Sequence, residues 1–234
     1  GDDTITGTAD QDVIKSGAGA DSIDAGAGAD IVYAGSGDDT IVHDAADLRV
    51  FGGTGSDTLV VTTLDADGGS TTTAAGTNTA TGDVDFTTSA GTVYTGIDVI
   101  NLRGNGNQTI ALDEPSVLAM SDTGRVTVKG DLGDVVKLYG GWTAAGIESD
   151  ADGKIYNILQ RGDARVSVQD TVTLQITNEL GAQVKIGTAG NDDTNVPTNG
   201  GAITSDGDDI LRIYSTAFTG VDGGRGYDKA YFEL

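Results

Sequence analysis

Residues 17–41 read GAGADSIDAGAGADIVYAGSGDDTI, and within this stretch Ile23, Val32 and Ile41 fall nine residues apart. The step extends in both directions, so that Ile5, Ile14, Ile23, Val32, Ile41, Val50 and Leu59 keep one phase. Six of the seven are preceded two residues earlier by aspartate: Asp3, Asp12, Asp21, Asp30, Asp39 and Asp57. Glycines lead into most of those aspartates: Gly17 and Gly19 before Asp21, Gly26 and Gly28 before Asp30, Gly35 and Gly37 before Asp39, Gly53 and Gly55 before Asp57. Glycine, aspartate and aliphatic positions recur together, which a merely acidic, glycine-rich linker would not produce.

The spacing has a physical reading. The aliphatic residue ends a very short strand and points inward, while the glycines permit a tight turn through backbone angles closed to other residues. The aspartate at the turn offers carboxylate oxygens. Calcium takes roughly six to eight oxygen ligands at about 2.3–2.6 Å, which stacked turns supply and a single turn does not. If each coil uses two nonapeptides, the aspartates form two rows on opposite sides. One row holds Asp3, Asp21, Asp39 and Asp57; the other holds Asp12 and Asp30. The next position of the second row is Leu48, which predicts a lost or weakened site there. The segment His43–Arg49 also lacks glycines, yet Val50 keeps the phase, so the turn is expected to bulge, with His43 at the surface.

The block resembles the GGxGxDxUx nonapeptide of RTX (repeats-in-toxin) proteins, a calcium-binding parallel β-roll. The resemblance implies several calcium ions held by the six aspartates and the glycine turns just named. After Gly187 related chemistry returns with irregular spacing, in Gly187–Asp192, Ser205–Leu211 and Gly223–Asp228. It adds Asp192, Asp209 and Asp228 as candidate ligands, in either a second short roll or isolated calcium loops.

With 36 acidic and 13 basic residues the formal charge is −23, which argues against nucleic acid and anionic membrane surfaces as partners. That charge repels itself without cations, so folding is expected to be coupled to calcium. There is no cysteine, hence no disulfide. No apolar run is long enough to span a membrane. The chain opens inside a repeat, shows no signal peptide at its start, and reads as a piece of a longer protein. One histidine, no cysteine and no GxSxG or HExxH argue against the familiar hydrolytic centres, and a non-enzymatic role is expected.

The expected fold is all-β: a parallel β-roll over residues 1–61, a β-rich module with one short helix over 62–186, and a degenerate repeat segment over 187–234. The Thr/Gly-rich run at residues 62–82 reads as a flexible loop. Asp113 can cap a helix beginning near Glu114, with Pro115 tolerated in its first turn. Arg125–Lys129 and Val135–Leu138 flank Gly130-Asp131-Leu132-Gly133 and read as a hairpin. Residues 154–160, 164–169 and 171–176 read as further strands of one sheet. Arg161-Gly162-Asp163 spells an integrin-binding tripeptide but reads as a hairpin turn, Asp150-Ala151-Asp152-Gly153 as another turn, and Trp142 as core. The outward residues Val13, Lys15, Ile31, Tyr33, Arg49 and Phe51 make a mostly apolar face, expected to pack on the middle module.

The middle block resembles a β-rich module that recurs beside RTX repeats in very large bacterial surface adhesins, on Ile97–Leu102, Leu118–Asp122 and Gly140-Gly141-Trp142 followed by Gly153–Tyr156. That implies a type I-secreted, extracellular calcium-dependent adhesive module whose repeats fold outside the cell. Alternatives are a calcium-dependent domain for a cell-surface glycan or protein ligand, with Asp131, Asp134 and Asp150 as candidates, and the secretion module of an RTX enzyme.

Overall fold

The computed structural model describes residues 1–62, 83–87, 93–103 and 108–177, and the strands at 183–186, 193–196, 201–203, 210–213, 220–222 and 229–232. The expected loop after Thr62 lies outside the described residues. Strands β1 (Thr4–Thr8), β2 (Val13–Ala18), β3 (Ser22–Gly26), β4 (Ile31–Ser36), β5 (Thr40–Val42), β6 (Arg49–Thr54) and β7 (Thr58–Thr62) alternate between two parallel sheets. Ile5 lies opposite Ile23, Ile23 opposite Ile41, and Ile41 opposite Leu59, so one coil consumes 18 residues. On the other side Ile14, Val32 and Val50 align in the same way. The two-nonapeptide coil follows from this register. Val50 stays in line with Val32, so the glycine-free turn before it leaves the 18-residue register unbroken.

The winding continues past the repeats. Next come β8 (Asp83–Asp85), β9 (Val93–Thr95), β10 (Val99–Arg103), β11 (Thr109–Asp113), α1 (Glu114–Met120), β12 (Arg125–Lys129) and β13 (Val135–Tyr139). They are followed by β14 (Thr143–Ser149), β15 (Ile155–Arg161), β16 (Ala164–Gln169) and β17 (Thr173–Thr177). Strand β10 pairs in parallel with β7, β12 with β10, and β16 with β12, giving a nine-stranded sheet that runs from β1 to β14. Ile23, Ile41, Leu59, Ile100, Val128 and Val168 form one inward stripe along it, all fully buried. Burial of each such side chain is worth about 1.5–3 kcal/mol. The nonapeptides and the irregular module therefore share one core.

The expected hairpin over β12 and β13 does not form. The five residues between them, Gly130 to Asp134, turn a corner, placing β12 in the nine-stranded sheet and β13 beside β11 and β17 in a second sheet. Strand β17 likewise leaves the sheet of β15 and β16. The consecutive antiparallel pairs are instead β14–β15, β15–β16 and, beyond them, Thr173–Thr177 with Gln183–Ile186. Asp113 caps α1 by accepting from the Ser116 N–H at 2.9 Å, with Pro115 in the first turn, as expected. Trp142 is buried, and its Nε1 donates to the Tyr139 carbonyl at 3.1 Å.

In the C-terminal segment β18 (Gln183–Ile186), β20 (Gly201–Ile203) and β22 (Gly220–Asp222) extend the second sheet, whereas β19 (Asp193–Val196), β21 (Ile210–Ile213) and β23 (Lys229–Phe232) form a separate parallel sheet. Val184 pairs with Gly201 and Gly201 with Gly220, steps of 17 and 19 residues. The strands of this segment thus alternate between two sheets, as those of the first roll do.

The apolar outer face behaves differently from expectation. Tyr33 and Phe51 stack on each other, with ring centroids 4.8 Å apart and planes 3° from parallel, and Lys15 lies over the Tyr33 ring. Val13 is 63% and Tyr33 39% exposed. Among the described residues the module joins the end of the roll, where β9 and β10 pair with β6 and β7, and does not cover this face.

Candidate calcium sites on the roll

The glycine turns set the site. All eight glycines expected at the turns have positive φ, from 84° at Gly26 to 138° at Gly28. At Gly35 and Gly53 a side chain is excluded twice over: φ is 115° and 112°, and an added Cβ would collide with the carbonyl oxygen of Gly17 and of Gly35, respectively. The turns are thus stacked backbone on backbone, one coil apart.

Each buried aspartate then repeats one arrangement. Asp21 Oδ1 accepts the Asp3 N–H at 2.8 Å, Asp39 Oδ1 the Asp21 N–H at 2.8 Å, and Asp57 Oδ1 the Asp39 N–H at 2.9 Å. On the opposite side Asp30 Oδ1 accepts the Asp12 N–H at 2.7 Å. The two rows are those the spacing predicts. Asp21, Asp30, Asp39 and Asp57 are at most 2% exposed, and the Oδ2 of each is buried with no hydrogen-bond partner among the described residues. Asp3 and Asp12 lie at the open first coil, where Asp3 is exposed and Asp12 half-buried.

Four orphaned carboxylate oxygens in a chain of net charge −23 are an unbalanced arrangement. Burial raises the carboxyl pKa of Asp30 and Asp39 and pushes that of Asp57 up to about 6, with neighbouring carboxylates adding to the rise. Asp21 is shifted down, by the Ser16 hydroxyl and then the Asp3 N–H. Orphaned hard oxygens beside carbonyl-lined glycine turns fit calcium. The residues that would hold it are Asp21, Asp30, Asp39 and Asp57 with the turn carbonyls; bound there, the cation would neutralise adjacent coils. Among the described residues no group of three or more His, Cys, Asp or Glu side chains could hold a metal by itself. That is consistent with sites shared between two stacked carboxylates and backbone oxygens.

Some acidic residues at these sites are not signalled by the nonapeptide. At the irregular turn Leu48 is 45% exposed, but Asp47 is buried beside Asp30, and burial with the charges of Asp44 and Asp30 pushes its pKa up to about 8. The row is thus continued by the residue next to Leu48. His43 is not at the surface; it is fully buried, with Nδ1 2.5 Å from the Tyr94 hydroxyl, and burial lowers its pKa to about 4. Asp38 Oδ1 accepts the Ser56 N–H at 2.8 Å, and Asp98 Oδ2 accepts the Asp57 N–H at 3.2 Å. Asp38 was hidden by its neighbour Asp39, and Asp98 lies outside the nine-residue phase.

The other candidates are otherwise engaged. Asp134 is buried with both oxygens used, by the Gln108 N–H at 3.0 Å and the Asp131 N–H at 2.7 Å. Asp150 accepts from the Asp152 and Lys154 N–H groups and from the Tyr156 hydroxyl, closing the expected turn beside a cavity lined by Lys129, Glu148 and Tyr156. Arg161-Gly162-Asp163 makes the β15–β16 turn, and Arg161 is held by Glu114 at 3.1 Å. Asp192, Asp209 and Asp228 lie outside the described residues.

Residues 6–41 match the family model of the RTX calcium-binding nonapeptide repeat, in four copies. This stretch is an RTX repeat block, a calcium-binding structural motif and not a catalytic one, of a kind that occurs in secreted proteins. Neither the curated proteins nor the solved structures include a significant match to the chain. No described helix is long and apolar enough to cross a membrane.

Proposed function

We propose that the chain is a calcium-dependent structural and adhesive module of a secreted bacterial RTX adhesin, whose repeats are unfolded where calcium is scarce and fold in extracellular calcium. The observation that carries the calcium-coupled part is the set of buried Oδ2 atoms of Asp21, Asp30, Asp39 and Asp57, which have no hydrogen-bond partner among the described residues. Without a cation, closing these coils buries uncompensated charge; with one, the same charge becomes a ligand. The adhesive part is supported by the resemblance of the middle block to adhesin modules, and by sheet pairing that makes that block a continuation of the roll.

Calorimetric titration with calcium, with far-UV circular dichroism before and after chelation, tests the reading. Several ions bound per chain with a large gain of β signal is the expected result; a chain fully folded in excess chelator would overturn it. Adhesion is tested separately, by binding of the calcium-loaded chain to arrayed glycans and cell-surface proteins.

A further inference from the structure

The nonapeptide block ends near Leu59, but its row of aspartates does not. Register carries it upward: Thr58 lies opposite Val99 and Leu59 opposite Ile100, so Asp98 occupies in the next coil the place that Asp57 occupies in its own. Asp98 Oδ2 accepts the Asp57 N–H, as Asp57 accepts the Asp39 N–H one coil below. On the other strand of the same turn, Phe51 lies opposite Thr95, which brings Gly96 over Gly52. A Cβ added to Gly52 would collide with the Gly96 carbonyl oxygen and lie 2.6 Å from Asp57 Oδ2. A carbonyl oxygen and a carboxylate oxygen thus flank one small space that only glycine leaves open.

A turn inside the repeats shows the same construction. A Cβ at Gly7 would collide with the Ala25 carbonyl oxygen and lie 3.0 Å from Asp12 Oδ2. In both cases the aspartate follows the glycine by five residues, and the carbonyl comes from the coil above. The difference lies in what meets the carboxylate. Asp12 Oδ2 is taken by the Thr8 N–H and hydroxyl, whereas Asp57 Oδ2, on a fully buried residue, has no partner.

We infer that Asp98 and the Gly96 carbonyl, with Asp57 Oδ2, form a calcium site at the junction, so that one cation joins the repeat roll to the coils of the middle module. The inference rests on the calcium-folded reading of the roll. The upper half of the site belongs to the module. Its turn has only Ile97 between Gly96 and Asp98, where the lower turn has four residues between Gly52 and Asp57, and the Ile97 N–H is fixed to the Met120 carbonyl of α1 at 3.0 Å. With a shortened upper turn this site offers fewer carbonyls than the rungs below. It therefore fills at higher calcium than they do.

Calcium stoichiometry of the full chain, measured by calorimetry on the parent, Asp98→Asn and Asp39→Asn, is the test. Asp98→Asn is expected to bind one calcium fewer than the parent, the lost ion being the weakest class. Parent stoichiometry in Asp98→Asn together with a loss in Asp39→Asn would overturn the junction site and leave the roll reading intact. No loss in either variant would overturn both. Should Asp98→Asn fail to fold, anomalous diffraction from the parent chain loaded with terbium decides the matter. A peak bonded to Asp57 Oδ2 and the Gly96 carbonyl supports the site; peaks on the lower rungs with none at the junction overturn it.

Discussion

Asp57 and Asp134 occupy similar places in similar coils, and they differ in one hydrogen bond. Each sits just before a parallel strand, is buried, and accepts a backbone N–H from the adjacent coil through Oδ1. In the module Asp134 Oδ2 accepts the Asp131 N–H of its own corner, and the carboxylate is complete. In the roll Asp57 Oδ2 meets no donor. The glycine turns are the cause. A turn that stacks carbonyl against carbonyl presents oxygens where the Gly130–Gly133 corner presents an N–H. Two stretches of one solenoid, sharing one apolar stripe, thus treat their corners differently: the module closes them with its own amides, and the roll leaves carboxylate oxygens that the proposed calcium would take up.

That contrast can be broken most directly by removing calcium. In excess chelator, amides of β3 to β7 are expected to lose protection in hydrogen exchange, while those of β12, β13, β16 and β17 keep theirs. Simultaneous loss across both regions would show that the shared core, not the corner chemistry, sets stability. Gly35→Ala comes next. A non-glycine residue held at such a φ costs about 1–3 kcal/mol before any collision, and the collision with the Gly17 carbonyl adds to it. Calcium-induced β signal should fall sharply, or require far more calcium, in a circular dichroism titration.

A matched pair of amide substitutions sharpens the comparison. Asp39→Asn should lower both calcium stoichiometry and the thermal midpoint in calcium, because it removes a ligand; saturating ligand at a hundredfold over Kd is worth about 2.7 kcal/mol. Asp134→Asn should cost about 1–3 kcal/mol by leaving one buried amide N–H without its acceptor, with calcium stoichiometry unchanged. Equal calcium loss in the two variants would erase the distinction.

The smallest effect concerns His43, at the boundary of the two regions. Its folded pKa of about 4 lies below the ordinary 6.5, so the folded state takes up its proton later than the unfolded chain. The sign follows: its contribution is intact above pH 6.5 and is lost progressively as pH falls toward 4. Carboxylates titrate in the same window, so the readout is a difference. His43→Gln should show a shallower fall in thermal midpoint between pH 6.5 and 5 than the parent in saturating calcium.

Much of this was legible in the sequence wherever a fixed step operates. The inward stripe, the two rows of aspartates and the 18-residue coil all follow from one period, because the register repeats with the residues. Legibility ended where the coil length changed. Asp98 extends the row of Asp57 through strand pairing across an excursion of irregular length, so no period reaches it. Asp47, buried beside Asp30, stands in for position 48 from a turn that lacks the glycines. The β12–β13 corner was misread because a short glycine-bounded connection between two alternating strands looks alike whether the chain reverses within a sheet or turns onto the next. Only the partners, β10 and β16 for one strand and β11 and β17 for the other, separate the cases. His43 looked like surface because its turn is polar; Tyr94 and Phe86, far along the chain, enclose it.

The 18-residue register also fixes a length. Drawn out, one coil's worth of chain spans about 60 Å, yet adjacent coils stand only about 4.8 Å apart along the stack. Each coil that closes therefore takes up more than nine-tenths of its own contour, and each that opens under tension returns it. Mechanically the roll is a spool, and on the proposed calcium-coupled folding the calcium concentration around it decides how much thread is wound.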